Sequence, residues 1–418
     1  MKKEAYNIHI IGAGISGLIA AHVLENQGYS PVILEASNAI GGRVKTDIVS
    51  NYQLDHGFQV LLTSYPAAQK YLDYNALNLQ HFLPGATIFS KGQQKTIGDP
   101  LRNLSLLVPT LFSGIGNFSD KKRILKLNAQ LKSTRIETIF NKPEKTTLNY
   151  LVDFGFSEGI ISNFFKPFFA GIFLETELNT SSRMFEFVYK MFGSGYAAIP
   201  TAGIAAIPKQ LEKNLNKTTI HLNTPVKKVE ESQIILANGS VLESHFTIIA
   251  TQPNSLTETN THPETPWKSC HTFYYETKTR AIKKPLIGLI ADQEAYINNI
   301  VYHTALKTAS AGSGELLSVT VVKKHTLSEQ ALQNQVEKEL VQYLGNRPFK
   351  FLKHYHIKQA LPDLNNLKYS NKPNETQLTP HIFLAGDTML NGSLNAAMLS
   401  GESAAKAVIE AISKQEHS

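Results

Sequence analysis

Residues 8–43 constrain this chain more than any other stretch. The apolar run Ile8-His9-Ile10-Ile11 leads into Gly12-Ala13-Gly14-Ile15-Ser16-Gly17, a helical segment follows up to Gly28, and a second apolar run, Val32-Ile33-Leu34, ends on Glu35. This is G-x-G-x-x-G within a βαβ unit. Gly12 permits the tight turn, Gly14 lets a pyrophosphate approach the main chain, and Gly17 lets helix and strand pack closely. The phosphates then sit on the positive end of the helix dipole, beside Ile15 and Ser16. Glu35 and the adjoining Ala36 fall where the ribose lies. A carboxylate there suits a free 2′-hydroxyl and repels a 2′-phosphate, which favours FAD or NAD over NADP.

The choice between FAD and NAD falls to the next residues. Gly41-Gly42-Arg43 follows the ribose acid closely, and Leu54-Asp55-His56-Gly57-Phe58-Gln59 comes soon after. Paired glycines let the main chain run against a cofactor, and a guanidinium offers diphosphate oxygens a bidentate fork that lysine lacks. The segment resembles the continuation of the dinucleotide fold in FAD-dependent amine oxidases, protoporphyrinogen oxidases and phytoene desaturases.

Further motifs follow in that superfamily's order. Pro225-Val226-Lys227-Lys228-Val229 resembles the strand whose valine contacts adenine, and Thr247-Ile248-Ile249-Ala250 resembles the strand that returns to the cofactor. Ala385-Gly386-Asp387, with Leu394-Asn395-Ala396 opening a helix rich in small residues, is similar to the closing segment, in which an aspartate bonds the ribityl or phosphate region. The resemblance implies cofactor contacts at these positions and at Gly57, Phe58 and Gln59. It also implies an α/β fold: a Rossmann-like FAD-binding domain of the glutathione-reductase type, interleaved with an α+β substrate domain. Residues 1–75, 205–255 and 375–418 would form the first; 76–204 and 256–374 the second, whose first stretch, about 76–200, reads as mostly helical, with its helical part at 100–200.

Composition sets the remaining limits. With 418 residues, 42% hydrophobic and 18% charged, the chain has material for a large core and is not disordered. The single Cys270 excludes a disulfide framework, and no apolar leader precedes the first strand, so the expected location is the cytoplasm. The net charge of +7 comes from scattered lysines without a nucleic-acid motif, so no nucleic-acid partner is expected. The apolar run Leu104–Ile115 is too short to span a bilayer and is broken by Pro109. It precedes Asp120-Lys121-Lys122-Arg123, which leaves peripheral membrane contact open beside the reading of a buried helix. Oligomeric state is undetermined.

For the substrate, eight of the 21 phenylalanines fall between Phe164 and Phe192, a density that suits either an apolar pocket or core packing, with core favoured for any one ring. The aromatic ring that amine oxidases carry in the closing segment falls on Ser393, and their substrate-domain lysine falls near Cys270, with Lys268 two residues away. His354 and His356 share a strand face but lack companions for a metal site, so no metal is assigned. Cys270 lies far from the closing motif, so FAD would be held noncovalently. Gly193-Ser194-Gly195 makes no second dinucleotide fingerprint, which leaves oxygen, a quinone or another flavin as acceptor.

The expected function is therefore hydride transfer from a hydrophobic small molecule, isoprenoid- or porphyrinogen-like, to FAD. Amine oxidation, redox-neutral isomerase or mutase chemistry, and a non-catalytic flavoprotein are the alternatives. No catalytic residue is designated.

Overall fold

The computed structural model describes residues 2–99, 102–106, 114–253, 256–257, 264–310 and 312–416. Its organising element is a five-stranded parallel sheet in the order Thr219–His221, Val32–Leu34, Ile8–Ile11, Phe246–Ile249 and Ile382–Leu384. Strand Ile8–Ile11 is buried at every position, as expected for a strand covered on both faces. The helix Ile15–Asn26 follows it, and Gly28, at φ 92°, turns the chain back toward Val32. Across that helix packs the long closing helix Leu394–Glu416. A Cβ on Gly401 would lie 2.2 Å from the Ser16 carbonyl oxygen, so the approach of the two helices depends on a bare main chain there.

A second, seven-stranded sheet takes strands from both stretches between the cofactor motifs. Its order is Lys350–Pro362, Trp267–Thr277, Glu315–Val321, Ile297–Tyr302, Ile287–Ile290, Gly85–Ser90 and Gln93–Gly98. Side chains alternate across it. Phe273 and Tyr275 pack with Leu332, Val336 and Leu340 of helix Glu329–Leu344, whereas Tyr274 points the other way, to Tyr52 and Leu54.

The hairpin Gly85–Gly98 departs from the sequence expectation of a mostly helical 76–200. Its turn residues Lys91 and Gly92 both take positive φ, a conformation that closes tight hairpins. Helices occupy most of 118–194 instead, including a wide turn over Ile161–Phe165. There the phenylalanines are core: Phe165, Phe169, Phe173, Phe185 and Phe187 are fully buried, and Phe164, Phe168 and Phe192 pack half-buried against them. Of the apolar run 104–115, residues 107–113 lie outside the described residues. No helix among the described residues is long and apolar enough to cross a membrane.

Candidate dinucleotide and substrate site

The glycines of the first fingerprint act through close main-chain approach. Gly12 takes φ 104° and donates its N–H to the Leu34 carbonyl at 2.8 Å. A Cβ on Gly17 would lie 2.0 Å from the Gly12 oxygen. A Cβ on Gly14, by contrast, would meet nothing within 4 Å. Open space therefore faces the start of helix Ile15–Asn26, where its first N–H groups lack helical partners. Ile15 and Ser16 are themselves buried.

The second glycine pair lies directly on the first. Gly41 donates to the Ala13 carbonyl at 2.8 Å, Gly41 and Gly14 form a parallel bridge, and a Cβ on Gly42 would stand 3.3 Å from the Gly14 Cα. Both take positive φ. Glu35 sits at the end of its strand beside Ala36, and its carboxylate is already engaged: it accepts from Ala13 N at 2.7 Å, Ser37 N at 2.8 Å and Ser37 Oγ at 2.7 Å. It thus ties the first fingerprint to the strand that carries it, and a ribose hydroxyl would share an occupied acceptor. The ties through Ala13 and Ser37 were not foreseen from sequence. Thr224 N donates to the Glu35 carbonyl at 2.8 Å, bringing Val226 to the same edge. Ala250 lies beneath the turn: its carbonyl oxygen would be 3.2 Å from a Cβ on Gly12.

Arg43 meets Asp387 in an ion pair that joins the two ends of the chain. Asp387 is buried and follows Gly386, whose φ of 147° suits glycine, while the guanidinium stands 5.1 Å over the Trp267 ring. Sequence reading assigned Arg43 and Asp387 separately and did not foresee Trp267. The closing helix starts at Leu394, capped by Ser393 Oγ, which accepts from Ala396 N at 3.0 Å. Ser393 is therefore a buried cap rather than a ring-bearing wall position. Asn395 is fully buried and turns its Oδ1 to Ala67 N at 3.0 Å, and Ala396 is buried behind it.

Gly57, Phe58 and Gln59 continue from this pair toward the large sheet. Gln59 Nε2 donates to the carbonyls of Arg43 and His56 at 3.0 and 2.9 Å, fixing the segment. A Cβ on Gly57 would lie 3.1 Å from Ile357. Phe58 contacts Phe82 and His303 edge-on at 5.9 and 6.1 Å. His303 donates to or accepts from Ser318 Oγ at 2.9 Å, and burial pulls its pKa down to about 4, so it is neutral at physiological pH. Tyr274 donates to the Asp55 carbonyl at 2.8 Å, and burial holds its hydroxyl well above the ordinary tyrosine range. The Asp55 carboxyl accepts from Thr46 Oγ1 at 2.6 Å and Ile204 N at 3.1 Å. Burial outweighs those bonds and raises its pKa to about 6.

The remaining sequence candidates separate. Cys270 is buried, its thiol pushed up to about 12 by burial, and Lys268 is engaged with Thr180 Oγ1 at 3.2 Å and Asp363 at 3.3 Å. His354 and His356 do share a face, and the structure adds His271 to them: its Nδ1 lies 3.0 Å from His354 Nε2 and its ring stacks on His356 at 4.1 Å. Burial first, then the neighbouring imidazoles, lowers the His271 pKa to about 3. Among the described residues no group of three or more His, Cys, Asp or Glu is arranged to hold a metal ion.

With this geometry in place, a family model of flavin containing amine oxidoreductases matches residues 15–409. The chain belongs to that family. FAD is the cofactor that membership carries, and the fit is physical: bare main chain and open space at Gly14, a cation at Arg43, and acceptors at Glu35 and Asp387. An L-amino-acid oxidase of Sistrurus catenatus edwardsii is 25% identical over 282 residues, 63% of this chain and 54% of that protein. The chain thus spans about half the length of the curated relatives it matches. Its fold is shared with a putative protoporphyrinogen oxidase from Exiguobacterium sp. 255-15 at TM-score 0.71 and 16% identity, covering 97% of this chain and 98% of that one. It is shared equally with the cyclohexylamine oxidase of Brevibacterium oxydans IH-35A at TM-score 0.69 and 16% identity, covering 98% and 99%.

Proposed function

We propose that this chain is an FAD-dependent oxidoreductase that takes hydride from a hydrophobic small molecule. Bound FAD supplies the acceptor for that hydride and performs the redox chemistry. The observation that carries the reading is the convergence of Arg43 and Asp387, from opposite ends of the sequence, beside the open face of Gly14. In this proposal Gly12, Gly14, Gly17, Gly41 and Gly42 let the main chain approach the dinucleotide. Glu35 and Val226 flank the adenosine, Arg43 neutralises diphosphate charge, and Asp387 orients both the guanidinium and the ribityl hydroxyls. Retention is noncovalent. Residues 1–75, 205–255 and 375–418 form the FAD-binding domain and 76–204 with 256–374 the substrate domain, a division supported by the membership of the two large sheets.

The uncharged wall beyond Gly57 supports a hydrophobic substrate. Phe58, Phe82, neutral His303 and un-ionised Tyr274 offer packing and no counter-ion. A second reading, amine oxidation, is favoured by the amine- and amino-acid-oxidising relatives named above. An amino-acid carboxylate would need a cation, which none of Phe58, Phe82, His303 and Tyr274 supplies. Anaerobic bleaching of the bound flavin separates the readings. Isoprenoid, polyene or porphyrinogen donors in detergent should reduce it faster than primary amines, polyamines or amino acids at equal concentration. Rapid bleaching by an amine, with no response to any apolar donor, reverses the order.

A further inference from the structure

Helix Phe118–Ser133 has two faces with opposite fates. It begins with a reciprocal cap: Asn117 Oδ1 accepts from Asp120 N at 2.9 Å, and Asp120 Oδ2 accepts from Asn117 N at 2.8 Å. Asp120 also accepts from Ser157 N at 2.9 Å and Ser157 Oγ at 2.6 Å, which pins the helix to the start of the short helix Glu158–Ile160. Asp120, Leu127 and Leu131 are buried, and Lys190 of helix Ser182–Ser194 donates to the Leu131 carbonyl at 2.7 Å. This face is fully accounted for.

At 3.6 residues per turn, the opposite face carries Phe118, Leu125 and Ala129 along one line. Phe118 is 73% exposed, the most exposed large apolar side chain among the described residues, and Leu125 is 56% exposed. The same geometry places Lys132 along one side of that line and Lys122 and Lys126 along the other, all three exposed. Lys122 Nζ stands 4.8 Å over the Phe118 ring, and Lys126 Nζ stands 5.6 Å over Phe154. The one acidic residue of the helix, Asp120, is on the buried side.

We propose that this face docks on the surface of an anionic lipid bilayer. An apolar line with a rim of lysines matches the layering of such a surface: the rings and branched chains enter the acyl boundary while ammonium groups on flexible stems reach back to the headgroups. Screening and headgroup charge then control binding, because the lysine contribution arises from the negative surface potential and decays within a Debye length. The surface is built from residues that take no part in the dinucleotide site, so the proposal stands or falls separately from the flavin chemistry.

The test is flotation of the flavin-loaded full chain with vesicles of phosphatidylcholine alone and of phosphatidylcholine mixed with phosphatidylglycerol. The expected result is binding to the mixed vesicles only, weakened by salt. The double variant Phe118→Ser/Leu125→Ser should lower partitioning about tenfold or more, with flavin content and thermal unfolding unchanged. Lys122→Glu/Lys126→Glu should abolish the preference for anionic lipid. Absence of binding to mixed vesicles overturns the proposal, as does binding that ignores both double variants. A dimer seen by light scattering that Phe118→Ser/Leu125→Ser dissociates, without vesicle binding, would assign the face to a second copy of the chain and also overturn it.

Discussion

The dinucleotide end and the wall beyond Gly57 are built by opposite means. At the first, where we place the dinucleotide, main chain and paired charges do the shaping: glycines at 12, 17, 41 and 42 let main-chain segments approach closely, Gly14 leaves open space, and Arg43 faces Asp387. At the second, the proposed substrate wall, the side chains carry no net charge: half-buried Phe58 and buried Phe82, His303 and Tyr274. A main-chain site is intolerant of any added atom and forgiving of sequence elsewhere. A side-chain wall can be recut residue by residue, which is how one cofactor fold can host different substrates.

The largest effect expected from that contrast is at the fingerprint. Gly17→Ala should prevent recovery of folded, flavin-loaded protein, because its Cβ falls 2.0 Å from the Gly12 oxygen and main chain cannot yield as a side chain does. Overpacking ordinarily costs about 1–3 kcal/mol, and this clash is with main chain. Gly14→Ala should leave apoprotein unfolding unchanged, since its Cβ meets no protein atom, yet impair FAD retention. Thermal melts of apo and reconstituted protein check both. Equal damage to the two apoproteins would mean that the space at Gly14 is not reserved for a ligand.

Charge comes next. Arg43→Lys and Asp387→Ala should each weaken FAD affinity by about tenfold to a hundredfold, the worth of a charge-assisted hydrogen bond of roughly 1.5–3 kcal/mol. Glu35→Gln should weaken it too, while also lowering apoprotein stability, because the carboxylate holds Ala13 and Ser37. Titration of apoprotein with FAD reads the affinities. Parental affinity in all three variants would refute the placement of the dinucleotide.

Asp55 lies where the two regions meet and predicts a pH signature. Its folded pKa of about 6 is above the ordinary value of 3.8, so between those pH values the native state holds a proton that the unfolded chain has lost. Stability from this group is full at and below about pH 4, is lost as pH rises to about 6, and is level above. Compared with Asp55→Asn, the parent should lose on the order of 3 kcal/mol across that window. Denaturant unfolding of both proteins from pH 4 to 8 measures the difference, and parallel profiles would show that Asp55 is ionised in the folded protein at low pH.

The smallest effect should be at the wall. Tyr274→Phe loses one hydroxyl donor to the Asp55 carbonyl, a change of about 1 kcal/mol in stability. It should leave FAD affinity at the parental value while altering the rate of flavin reduction by a donor. A parallel fall in FAD affinity would place Tyr274 in the dinucleotide site and erase the contrast between the regions.

Legibility in the sequence follows the same division. The βαβ unit, the glycine pair before Arg43 and the small-residue closing helix were readable because each needs particular residue types at fixed local spacing. The hairpin Gly85–Gly98 escaped because its signal is the short Lys91-Gly92 turn rather than a long periodic run. The phenylalanines between 164 and 192 announced burial without saying whether they surround a cavity or fill one, and they fill it. Ser393 was legible as a missing ring but not as a helix cap. His271 was invisible beside His354 and His356 because its proximity comes from pairing between strands about 80 residues apart.

What the sequence determined by itself was the parallel nucleotide fold, the FAD-type motif order and the family, since these are written in local spacing and in the stereochemistry of glycine. Tertiary structure alone decided that Arg43 pairs with Asp387 over the Trp267 ring, that Glu35 is held by Ala13 and Ser37, and that His303 and Tyr274 stay uncharged. The reason is physical. Periodicity in a chain reports that a side chain is buried, but its charge state and partner depend on which distant segment buries it, and that is set only when the sheets and helices close on one another.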